Sequence, residues 1–114
     1  MIGIEDIRLL VLSFPEVSEE PHFEKTSFRI KKKIFATYNA NENKLTVKLS
    51  AIDQDVFALA GDAIYPVPNK WGKQGWTTIE FKKVHKDLLA DALRTAYCTV
   101  APSKLAEIVR PSER

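Results

Sequence analysis

The run from Ser27 to Ser50, "SFRIKKKIFATYNANENKLTVKLS", constrains the fold more than any other part of the chain. In "SFRIK" Phe28 and Ile30 alternate with Arg29 and Lys31. In "KLTVKLS" Leu45, Val47 and Leu49 alternate with Thr46 and Lys48. Alternation at period two marks a strand with one face buried and the other in water, because successive side chains leave a strand on opposite sides. Between these runs "IFATY" (34–38) reads as a third strand, and a turn near Lys32 and the polar "NANEN" (39–43) separate the three. The prediction is a three-stranded meander. Its wet face carries Arg29, Lys31 and Lys48, while Lys32, Lys33 and Lys44 lie near its turns.

A sheet with one apolar face needs a cover, and the flanking segments supply it. Ile4, Ile7, Leu10, Val11 and Phe14 have the spacing of one helical face over 4–14, which Pro15 ends. The acidic "EVSEEPHFEK" (16–25) reads as an irregular bend around Pro21. Ser50 and Asp53 have capping-box spacing for a helix over 51–60, closed by Gly61. Prolines make 64–70 extended, and Thr77, Ile79 and Phe81 line one face of a further strand. Leu88, Leu89, Ala92, Leu93, Ala96, Tyr97 and Val100 mark a long amphipathic helix over 86–100. Pro102 fits the first turn of a short last helix with Leu105, Ile108 and Val109. The expected class is α+β: an antiparallel sheet of four or five strands with helices packed on one face. Its core comprises Phe28, Ile30, Leu45, Val47, Leu49, Ile79, Phe81, Leu89 and Leu93. At 114 residues the whole chain, 1–114, is expected to be one domain.

The net charge of +2 conceals an uneven distribution. Residues 25–50 hold seven cations against Glu42 alone, a local charge of +6. Residues 69–86 hold five against Glu80, a local +4, so the remainder carries −8. Such asymmetry bears on partners more than net charge does. No apolar run approaches the roughly 18 residues of a membrane span. Glu5 and Asp6 stand where a secretory leader needs cations, so a cytoplasmic location is expected, with no membrane partner. The single Cys98 forms no intrachain disulfide and reads as a buried structural thiol.

Enzymatic signals are weak. His22 and His85 have no nucleophile or ligand at a recognisable spacing, and the acids Glu19, Glu20 and Glu24 around His22 read as a solvated bend. No glycine-rich loop opens a helix as a phosphate loop requires. A protein without catalysis, cofactor or bound metal is expected.

The segment "PNKWGKQGW" (68–76) holds both tryptophans of the chain. Trp76, at the start of a strand, reads as a ring packed on the sheet end, whereas Trp71, between Lys70 and Lys73, reads equally well as a displayed ring. Cations neutralise phosphate and rings stack on bases, the two requirements of sequence-tolerant nucleic-acid binding. The same lysines also serve to keep sheet edges from pairing with neighbours.

Three stretches together resemble the MmcQ/YjbR family of small bacterial proteins. These are "FPEVSEEPHFEKTSFRIKKKIFATY" (14–38), "PVPNKWGKQGWTTIEF" (66–81) and "LADALRTAYCTVAPSKLA" (89–106). The resemblance runs almost end to end and implies a CyaY-like α+β fold. It also implies DNA binding through two protruding β-loops, a double wing. Where relatives often carry glycine before Lys-Ile-Phe-Ala, this chain has Lys32, which implies a different turn type and a higher local charge. The expected binding residues are Arg29, Lys31, Lys32, Lys33, Lys44, Lys48, Lys70, Trp71 and Lys73, with DNA as partner and a monomer as the working state. The alternative expectation is a protein- or small-ligand-recognition domain using the sheet face and the Trp71 loop, in which "EVSEE" and the basic sheet could also pair head to tail.

Overall fold

The computed structural model describes residues 2–110. Its strands are β1 (Val17–His22), β2 (Lys25–Ile30), β3 (Lys33–Asn39), β4 (Lys44–Lys48), β5 (Ile64–Pro66) and β6 (Trp76–Glu80). Its helices are α1 (Ile4–Leu12), α2 (Ala51–Ala58), α3 (Lys70–Lys73), α4 (Lys86–Val100) and α5 (Ser103–Val109). All six strands join one antiparallel sheet in the order β1-β2-β3-β4-β6-β5.

The α+β class and the meander hold. The sheet is larger than expected because the acidic segment after Pro15 is not an irregular bend: Val17–His22 pairs residue for residue with Lys25–Ile30. Charge hides this strand from a hydrophobicity reading. Glu19, Glu20 and Pro21 occupy an outer edge, where acids and a proline discourage pairing with another chain.

One bulge sets the phase of the sheet. Phe28 pairs with Ala36 and Arg29 with Ile34, so Phe35 is the extra residue. Phe35 and Ala36 are both fully buried, and Ile34 is moved to the opposite face beside Arg29. All nine expected core residues are buried, joined by Ile7, Val11, Phe35 and Tyr97 in one cluster. The Tyr97 ring meets Phe14 and Phe35 edge-on at 5.2 and 5.5 Å, and its hydroxyl donates to the Pro15 carbonyl at 2.7 Å. That bond ties α4, which crosses β3 and β4, to the end of α1. Phe81 is buried as expected, but in a 3-10 turn after β6 rather than in the strand. Cys98 is half-buried, its thiol donating to the Ala106 carbonyl at 3.4 Å, and burial pushes its pKa up.

With helices on the inner face, Arg29, Thr37, Thr46, Lys48 and Trp76 share the outer face. The segment that partly covers this face is held from behind by α2. Ser50 caps α2 by accepting from the Asp53 amide at 3.1 Å. The buried Gln54 amide donates to the Gly72 carbonyl and to Thr77 Oγ1, both at 3.0 Å.

Candidate nucleic-acid interface

The Trp71 segment is not a flexible glycine loop. Residues 70–73 form a single helical turn, opened by Asn69, whose side chain accepts from the Trp71 amide at 2.8 Å. The glycines serve close packing: a Cβ at Gly72 would lie 2.0 Å from the Val67 carbonyl oxygen, and one at Gly75 1.9 Å from that of Leu49. Gly75 also has φ +102°, a conformation costly for other residues. Backbone contact, a cap and the Gln54 amide therefore fix the direction in which Trp71 points.

The register assigns each candidate residue a place. The β2–β3 turn (Lys31, Lys32), Lys33, Lys48 and the β5–β6 connection with Lys70, Trp71 and Lys73 all lie at the same end of the sheet, since Ile30 pairs with Lys33 and Lys48 with Trp76. Lys44 lies at the opposite end, across from Glu80. Lys82, Lys83 and Lys86 of the second basic block follow β6 at that far end too, with Lys83 bonded to Glu80 at 2.8 Å. The fold thus splits the second basic block and joins its first half to the lysines of the first.

Lys31 departs from expectation. Strand β2 ends at Ile30, so Lys31 is a turn residue rather than a member of the outer face, and its Nζ lies 2.7 Å from Glu16. Lys31 and Lys32 have φ of 53° and 70°. The turn therefore takes the doubly left-handed form of a tight two-residue hairpin without a glycine. Arg29 does lie on the outer face, its guanidinium drawn towards β1 by bonds to Ser27 Oγ at 3.0 Å and the Pro21 carbonyl at 3.4 Å. Lys48 sits 5.5 Å from the centre of the Trp76 ring and donates to the Gln74 carbonyl. Lys70 lies 5.7 Å from the centre of the Trp71 ring.

Both tryptophans face one concavity of about 490 Å³ on the outer face. Trp76 is partly buried against it, while Trp71 is 49% exposed at its rim. The floor includes Ile34, Thr37 and Thr46, and the wall opposite the tryptophans is made by His22 and Lys25 of the β1–β2 hairpin. Next to His22, at the hairpin tip, Phe23 is 93% exposed with φ 59°, and the two rings meet edge-on at 4.8 Å. Sequence reasoning passes over Phe23 because it is flanked by acids and belongs to no periodic run. Glu19 leaves on the other side of β1 from His22 and accepts from Arg8 Nε at 2.9 Å, while Glu20 accepts from Ser18 Oγ at 2.9 Å.

A second polar group lies towards β5. The Tyr65 hydroxyl donates to Glu80 at 2.5 Å, and Lys83 bonds the same carboxylate. Lys83 and then Tyr65 hold the Glu80 pKa below its ordinary value, while the bond to Glu80 raises that of Tyr65.

A family model described as YjbR matches residues 12–99. The chain belongs to the YjbR family. The match runs from the end of α1 to the last turn of α4 and so takes in the whole sheet and the concavity. The YjbR chain also superposes on the crystal structure of Deinococcus radiodurans protein DR2400, described as a DUF419 domain. The TM-score is 0.77 at 21% identity, over 100% of this chain and 93% of that one. At this identity the likeness speaks for the fold alone. No curated protein matches the sequence. Among the described residues, no helix of this YjbR chain is long and apolar enough to cross a membrane.

Proposed function

We propose that this YjbR protein is a sequence-tolerant nucleic-acid-binding module, without catalysis, that works through the basic end of its sheet. The observation that carries the reading is the convergence, at one end, of Lys32, Lys33, Lys48, Lys70 and Lys73 with the half-exposed Trp71 ring. Clustered lysines neutralise phosphates and release counterions, and a ring held in place stacks on any base. On this reading the two protruding wings are the Lys31–Lys33 turn and the α3 turn. Contacts to phosphate and stacking on a ring carry no base code, which suits tolerance of sequence.

The test is a titration of short duplex and single-stranded DNA at several salt concentrations. With about four to six phosphates contacted, log affinity falls against log salt with a slope of roughly −4 to −5 on duplex. A Lys70→Ala/Lys73→Ala variant flattens the slope by up to about two units, because each lost contact removes close to one. Absence of binding at low salt would refute the reading. Recognition of a small ligand in the concavity is the second reading, favoured by its aromatic lining. An uncharged ligand in a mostly apolar recess would bind with little dependence on salt.

A further inference from the structure

We propose that the concavity between the β1–β2 hairpin and the α3 turn receives one unpaired nucleobase, whose adjoining phosphates lie against Lys25 on one rim and Lys70 on the other. This inference rests on the nucleic-acid reading above and gives it a substrate class: strands whose bases are free to leave the stack.

Three observations converge on it. The volume of about 490 Å³ falls within the range of roughly 300–1,000 Å³ typical of small-molecule sites. A recess of that size admits a nucleotide, whereas a duplex keeps its bases paired and stacked and has no ring to insert. The lining is also that of a base site. Trp71 and Trp76 line one wall, each with a lysine ammonium over its ring, His22 brings another ring, and Thr37, Thr46 and Asn69 offer hydrogen-bonding groups between. Aromatic rings beside a few polar groups suit a flat heterocycle better than an aliphatic guest, and Lys25 in the lining and Lys70, whose Nζ lies 5.7 Å from the centre of the Trp71 ring, suit the phosphates joined to it.

The third observation is independent of the cavity. Phe23 stands at the hairpin tip, almost wholly in solvent, in a left-handed conformation that a bulky residue adopts at a cost. Among the described residues, the aromatic ring it meets is that of His22, edge-on. An exposed, strained aromatic beside an aromatic-lined recess is placed to stack on the neighbour of the inserted base. The walls are stiff as well: β1 and β2 pair along their full length, and α3 is held by Gln54 and Asn69. The recess is therefore formed before any ligand arrives, which lowers the entropic cost of binding.

The experiment titrates the full chain with a short oligothymidylate, with an abasic oligodeoxynucleotide of equal phosphate number, and with thymidine 5′-monophosphate. Tryptophan fluorescence reports binding. The expected result is that the oligothymidylate quenches fluorescence and binds about 10- to 100-fold more tightly than the abasic strand, the range that stacking of a base supplies. Thr46→Trp, which fills the floor, and Phe23→Ser, which alters only an exposed tip, should each shrink that ratio while leaving the abasic strand's affinity unchanged. A circular dichroism melt confirms that both variants fold. Thymidine monophosphate quenching the wild type but not Thr46→Trp would support the recess as a free-nucleotide site. If the two strands bind equally and the nucleotide does not bind, the inference is overturned while the nucleic-acid reading survives. If neither strand binds at low salt, that reading fails with it.

Discussion

At the scale of single residues, two turns show opposite uses of backbone strain. Gly75 is required by both its φ and the Leu49 carbonyl 1.9 Å from where a Cβ would stand. Gly75→Ala is expected to lower stability by about 1–3 kcal/mol, as overpacking does, and to loosen α3. An unchanged urea midpoint would show that the backbone yields at no cost. Lys32 is the converse, a lysine in a conformation that glycine takes freely. Lys32→Gly should stabilise the fold by up to about 1 kcal/mol, since relief of left-handed strain outweighs glycine's extra unfolded entropy. The same change should remove close to one unit of salt slope on duplex. Stability and binding would then move in opposite directions from one substitution, a result a purely structural lysine would not give.

At the scale of elements, α4 anchors the inner layer. Leu93 is fully buried where α4 crosses the sheet, so Leu93→Ala should cost about 2–5 kcal/mol, read from urea unfolding. A loss under half a kcal/mol would contradict that packing. The bond between β5 and β6 has a defined pH window. The Glu80 carboxyl is held below its ordinary 4.5, so its contribution is complete above that value and lost as pH falls through the lowered one. Tyr65 is held above 10.0, so its contribution is complete below that value and lost as pH rises through the raised one. In Tyr65→Phe the Glu80 titration followed by NMR should move up towards the ordinary range, and an unmoved midpoint would mean the bond does not form in solution. Elements whose side chains alternate cleanly or recur at helical spacing were legible in the sequence: α4 stands where the pattern puts it, and β2, β4 and α1 differ from it only at their ends. Strand β1 was not, because a charged edge strand takes its stability from the backbone of β2 rather than from its own apolar content. The candidate site was half legible. Its cations and Trp71 are visible in composition, but Trp76 and Phe23 become relevant only once β1 and α3 are placed across the outer face from each other.

At the scale of the whole molecule, charge and layering are coupled. The long helix α4 packs on the inner face and leaves the outer one to Arg29, Lys48 and the tryptophans, so a partner approaching the basic end meets the sheet and the short α3 turn. Strand order has a separate bearing on how the protein comes into being. Strands β1 to β4 are joined by short turns and pair with their neighbours in sequence, so they can assemble as soon as they are synthesised. Strand β6 must instead reach back to β4 past α2, β5 and α3, and β5 has no pairing partner until β6 arrives. Closing that long loop is the entropically expensive step of folding. Until it is taken, the β4 edge stands open with Leu45 and Val47 on its apolar side. A chain stalled before β6 would present that edge to other chains, and a fast folding rate is therefore a condition of its solubility during synthesis.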